Sequence, residues 1–164
     1  MSLSAYPMVK QHLVDRLSVR GGLAGVRVSY QEPEQRDDLQ GDTGQYEAVF
    51  CAGAEGSLDV QIFTDGTAHH WAEDFHLDVI AQVLDATADQ RAVDERCTEL
   101  VAEVLSEIGS LAFRTTLETF MSDFDRITVT PAAQRWVPGY LPGTTGGHGA
   151  RCELALRVEA RRAY

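Results

Sequence analysis

Apolar residues recur along this chain in two rhythms, one of three to four residues and one of two, and the changes of rhythm mark its elements. Val9, Leu13 and Leu17 fall four apart between Ala5 and Arg20, and Pro7 suits a first turn, so this segment reads as a helix. Gly21, Gly22 and Gly25 stop it, and Val26–Tyr30 then alternates as a short strand. Residues 31–45 hold one apolar residue, Leu39, and read as a polar loop longer than an ordinary connection. Tyr46–Ala52 is a second strand with a Gly-rich turn after it; Val60–Phe63 either extends it or forms a separate turn of chain. Between Glu73 and Leu84, Phe75, Leu77, Val79, Ala81 and Val83 share one face of a strand. Asp74, His76, Asp78 and Gln82 share the other, and Ile80 breaks the pattern.

A second helix follows over about Asp89–Ser110, where Val93, Cys97, Leu100, Val101, Val104, Leu105 and Ile108 make an apolar face. Beside them Glu95, Glu99, Glu103 and Glu107 recur every four residues. Like charges so spaced weaken a helix by about 0.2–0.5 kcal/mol per pair. Folding alone does not call for such a row, so it is a candidate partner-facing or channel-facing surface. Its plainer reading is a solvated helix face. Leu111–Phe124 reads either as a continuation of the helix or as a turn. Arg126–Thr130 is a short strand, and residues 131–149 form a second long loop holding Trp136, Tyr140 and Leu141. The clearest strand is the last: Cys152, Leu154, Leu156, Val158 and Ala160 alternate with Arg151, Glu153, Arg157, Glu159 and Arg161.

The order is α-β-β-β-α-β-β. Neighbouring strands with few crossover helices imply an α+β fold, a mostly antiparallel sheet with two main helices packed on it. At 164 residues, with no repeat and no linker, residues 1–164 are expected to form a single domain.

Composition adds a charge pattern. The net charge is −11, and residues 21–150, with 22 acids and seven arginines, carry −15 of it. Each end is weakly basic. A field of that sign disfavours ordinary binding of phosphate backbones. It leaves room for a protein that lets nucleic acid pass without sticking. Cys51, Cys97 and Cys152 lie far apart in apolar patterns and read as buried free thiols. No run approaches the ~18 apolar residues of a membrane span, and no secretory signal is read at the N-terminus.

Catalytic motifs do not emerge. The chain has no GxSxG, HExxH or P-loop, and the glycines at 143–149 precede a strand instead of opening a helix. The only metal-like constellation is His69, His70, Trp71, Glu73, Asp74 and His76, where Asp74, His76 and Asp78 would share a strand face. A polar, solvated sheet face is its plainer reading. Trp136, Tyr140 and Leu141 read equally as a flap over their own core or as anchors on a neighbour.

Taken together, PMVKQHLVDRL, GVRVSYQEP, YEAVFCAG, HHWAEDFHLDVIAQV, the long acidic helix and the closing RCELALRVEARR resemble the tail terminator family of long-tailed bacteriophages. The likeness covers nearly the whole chain, about Pro7–Arg162, and rests on layout and phrases without an invariant motif. It implies a non-catalytic structural subunit of the virion neck, assembled in the host cytoplasm, without cofactor. Copies would form a ring, hexameric in that family, which caps the tail tube and ends its polymerisation. The ring would join the tail to the head connector and let DNA pass through its lumen. Lumen or partner-facing candidates are then Glu95, Glu99, Glu103 and Glu107, with Glu34, Asp37, Asp38 and Asp42 of the first loop. Candidate subunit contacts are Trp136, Tyr140, Leu141, Arg157 and Arg161. The rival expectations are another neck or tail-completion component, a small metal-dependent enzyme built on His69–His76, and a ligand-binding α+β domain.

Overall fold

A computed structural model describes residues 4–33, 44–62, 69–138 and 147–163. Three helices, α1 (Ala5–Ser18), α2 (Gln90–Ile108) and α3 (Leu111–Phe120), pack on one face of a five-stranded sheet. The strands are β1 (Arg27–Ser29), β2 (Gln45–Ile62), β3 (His69–Asp85), β4 (Arg126–Pro138) and β5 (His148–Ala163), in the spatial order β1-β2-β3-β5-β4. The fold is α+β, as the patterning predicts.

Helix boundaries follow local chemistry. Asp89 caps α2 by accepting from the Ala92 N–H at 2.8 Å, and Ser110 caps α3 by accepting from the Phe113 N–H at 3.0 Å. Gly109 and Ser110 thus end one helix and open the next, so the ambiguous stretch after Leu111 is a third helix. At the N-terminus, Ser4 caps α1 through Tyr6, and the carboxylate of Glu73 reaches from β3 to accept from the Ala5 N–H (2.9 and 3.0 Å) and the Ser4 hydroxyl (2.9 Å). Glu73 is buried, and the positive end of the helix gives that charge a partner.

The main core lies between helices and sheet. Val9, Leu13 and Leu17 of α1 and Cys97, Leu100 and Val104 of α2 meet the inward faces of β3 and β5, with Phe113 and Leu117 of α3 closing one side. All three cysteines are free and buried, and burial pushes the Cys51 and Cys97 thiols up to about 12. A smaller core occupies the opposite face: Tyr46, Ala48, Phe50, Ile80 and Leu84. Ile80 leaves the alternation because both faces of β3 are buried at that point.

One expected loop is accounted for and another is corrected. β1 pairs with β2 in parallel, Val28 beside Val49, so residues 30–44 must carry the chain back to the start of a parallel neighbour. Such a crossover needs about a dozen residues, which accounts for the length of the first loop. The second loop is shorter than residues 131–149. β4 runs on to Pro138 through a bulge between Pro131 and Ala133, and β5 begins at His148. A strand at the sheet edge tolerates proline, since its missing N–H costs no ladder bond on the open side.

Replacing Glu73 by alanine should lower stability by about 2 kcal/mol, since it leaves two amino-terminal donors of α1 short of an acceptor. Urea unfolding checks this, with a lower midpoint at unchanged slope expected.

Candidate functional site

The acidic row singled out by the sequence lies along α2. Successive positions four apart advance by about 40° around a helix, so a row of four such residues turns through about 120°. The glutamate row therefore does not share one face. Glu95 and Glu99 project into solvent, with side chains 62% and 65% exposed. Glu103 is intermediate, and Glu107, with its side chain 5% exposed, has rotated into the seam with α1.

There it meets cations. Arg16 donates to Glu107 at 2.7 Å, and Arg20 donates to Glu107 at 2.7 Å and to Glu103. A further Arg20 N–H reaches the Ser106 hydroxyl at 2.8 Å. The two acids hold the Arg20 guanidinium firmly protonated. Glu107 therefore serves as the anchor joining α1 to α2, which corrects its assignment to a lumen or partner surface. The repulsion within the row is offset further up by Arg91–Glu95 (2.7 Å) and Arg96–Glu99 (2.9 Å), and Arg96 also grips Glu47 of β2 at 2.8 Å.

Of the other acidic candidates, Glu34, Asp37, Asp38 and Asp42 lie outside the described residues. Glu32, just before them, stands 3.5 Å from Arg151.

The metal-like stretch divides. Glu73 faces inward to α1, while Asp74 faces outward and pairs with Arg157 at 2.7 Å, which holds its carboxyl below the usual range. Asp78 is shifted the other way by burial and by the neighbouring Glu153 and Glu55. His76 is exposed; the side chains of His69, His70 and Trp71 lie outside the description. Among the described residues no group of three or more His, Cys, Asp or Glu stands close enough to hold a metal ion.

Among the proposed contacts, Trp136 lies on edge strand β4 opposite Cys152 and is 42% exposed, and Tyr140 and Leu141 lie outside the described residues. Arg157 is tied to Asp74 and Glu159 on the open face of the sheet, and Arg161 is exposed nearby. Patterning missed an apolar cavity of about 630 Å³ between α3, the end of α2 and β4. Leu105, Ile108, Phe113, Leu117, Phe124 and Ile127 line it. Its walls come from segments that the sequence separates by some twenty residues, so no local rhythm announces it.

Two buried polar side chains on α1 also escaped notice. Lys10, the only lysine, is buried with its ammonium 4.1 Å from the centre of the Tyr30 ring and 3.4 Å from the Tyr6 hydroxyl. His12 lies against Phe113 and Phe120 with its Nε2 3.2 Å from the Thr116 hydroxyl. Both flank the apolar stripe of Val9, Leu13 and Leu17 that was expected to carry the packing.

Among the described residues no helix is long and apolar enough to cross a membrane. Comparison with protein-family models and with curated proteins returns no match.

Burial lowers the pKa of His12 below 6.5, and Arg16 adds to this against the opposing Phe113 carbonyl, Asp15 and Glu107. The folded chain thus prefers the neutral ring. Its contribution to stability is complete above 6.5 and is lost as pH falls through the lowered value. Thermal unfolding followed from pH 7.5 down to 5 should show a declining midpoint whose slope is reduced in His12→Gln.

Proposed function

We propose that this chain is a structural subunit of a phage neck, whose copies form a ring that caps the tail tube and joins it to the head connector. The observation that carries this reading is the extent of unsheltered sheet. β2, β3 and β5 run for 18, 17 and 16 residues, well beyond the usual length of about 5–6 in globular domains. At about 3.3 Å per residue they exceed 50 Å. α2, with 19 residues at about 1.5 Å each, covers roughly half of that length. The edges of such a sheet, β2 beyond Phe50 and β4, invite pairing, and closed assemblies remove such edges.

The resemblance of the sequence to tail terminators supplies the kind of assembly: self-association, a tube protein on one side and a connector on the other. The acidic middle of the chain is compatible with a lumen through which DNA moves without being held. The first loop holds the acids available to that lumen; Glu95 and Glu99, though exposed, are paired with Arg91 and Arg96, and the anchored Glu103 and Glu107 contribute little. Other neck components share these physical demands, and position within the particle distinguishes them.

Mixing the purified protein with its cognate tube protein during polymerisation provides the test. Tubes should stop at bounded lengths with ring-shaped density at one end, visible by negative-stain microscopy; tubes that grow unchanged would sink the reading. Trp136→Ala combined with Tyr140→Ala should reduce assembly by about tenfold or more, a loss of about 1.4 kcal/mol or greater per contact, as expected for aromatic interface anchors. Circular dichroism and the melting midpoint of the isolated chain should remain close to wild type.

A further inference from the structure

Two stretches of sheet edge lie open in this fold, and they sit at the same level. β1 covers β2 only at Ala48–Phe50, so beyond Phe50 the outer side of β2 meets no strand among the described residues. β4 is the opposite edge along its whole length. Pro131 and the bulge beside it divide that edge into two regular stretches, Arg126–Thr130 and Ala133–Pro138, and register puts Arg135–Val137 level with Ala48–Phe50, the part of β2 that β1 already covers.

Register across the sheet connects the two. Arg126 is opposite Arg161, which is opposite Ala72, which is opposite Asp59. Thr130 leads in the same way through Arg157 and His76 to Glu55. The five open residues of β4 therefore stand level with Glu55–Asp59 of β2, and the two strands run in opposite directions. A rotation about an axis parallel to the strands, with no translation, brings one stretch beside the other as an antiparallel pair.

Three further observations favour that meeting. RITVT at 126–130 carries one positive charge, and EGSLD at 55–59 carries two negative ones. Arg126, which this register sets beside Asp59, and Glu55, which it sets beside Thr130, are both exposed. The apolar cavity beside α3 is lined by the same β4 stretch, so a strand added there covers apolar surface as well as backbone donors and acceptors.

We propose that Arg126–Thr130 of one copy receives Glu55–Asp59 of a second copy by antiparallel strand addition, and that this head-to-tail joint repeats. The joint rests on the ring reading only for its closure. It is heterologous: each copy offers β4 to one neighbour and β2 to the other, so successive copies extend one continuous sheet.

Cysteine crosslinking tests the joint, since the native thiols are buried. Thr128 and Ser57 share a level, so Thr128→Cys/Ser57→Cys treated with a short bis-maleimide should give a ladder of covalent dimers, trimers and larger species. Each single variant should give none. A covalent dimer from Thr128→Cys alone would mean symmetric β4–β4 pairing and overturn the proposal. An oligomer without crosslinks, or a protein that stays monomeric at millimolar concentration, would overturn it too. The first of these outcomes leaves the ring reading standing. A ladder that never closes supports the joint while counting against a closed ring. In the unmodified protein, amide hydrogen exchange at 55–59 and 126–130 should slow together by about tenfold or more on raising the concentration; protection of neither stretch overturns the joint independently of any variant.

Discussion

Everything in this fold depends on the pairing of β3 with β5. The two strands match over sixteen registered positions, from His70 beside Ala163 to Asp85 beside His148. β5 is the last element of the chain, yet it fills the gap between β3 and the edge strand β4. Until it arrives, β3 has a bare inner edge, β4 has no partner at all, and the faces of α2 and α3 lack half of their sheet. The helix α2 packs chiefly on these two central strands, with Cys97 donating to the Ala81 carbonyl at 3.5 Å. Closing contacts between residues some eighty positions apart is slow and entropically costly, because the intervening chain must be ordered before the pairing repays it.

The ionic seam between α1 and α2 has meaning in that setting. α1 comes first in the chain and touches the sheet through Glu73, whose carboxylate holds its first turn. Its last turn is held by Arg16 and Arg20 on Glu107 and Glu103. The helix is thus fixed at both ends by carboxylates from other elements, while Val9, Leu13 and Leu17 supply the apolar contact between. Removing the Glu107 carboxylate would take this acceptor from Arg16 and leave Arg20 with Glu103 and Ser106 at a partly buried site, which is the costly way to break a buried pair.

Strand faces were the most legible part of this chain. The alternation in Glu73–Val79 and Cys152–Ala160 shows directly in the buried sets, because a period of two has only one antiphase; from Val79 to Asp85 both faces of β3 are buried, Gln82 included. What local rhythm hid was pairing. A parallel β1 and a polar crossover look, in sequence, like a strand and a loop before a hairpin. Pro131 looked like the end of a strand because nothing local says that the strand lies at an edge. The glutamate row misled for a geometric reason: a spacing of four keeps neighbours close but drifts around the axis. Glu95 and Glu107 consequently have opposite environments. The cavity and the two open edges were illegible altogether, being made by elements brought together only when β5 closes the sheet.

That drift also changes how the chain's charge acts at a distance. An acid in direct contact with an arginine of the same chain presents a short dipole, whose field fades well within the screening length of about 8–10 Å at physiological salt. All four glutamates of the row are so paired. The net −11 must therefore act through acids that arginines do not neutralise nearby. By sequence the stretch 31–45 is the densest in acids, with five against one arginine, of which Glu32 stands 3.5 Å from Arg151, and it is the same stretch that the parallel pairing of β1 and β2 obliges to be long. A single constraint of strand direction thus fixes both the length of that connection and the place where the chain concentrates its unbalanced charge.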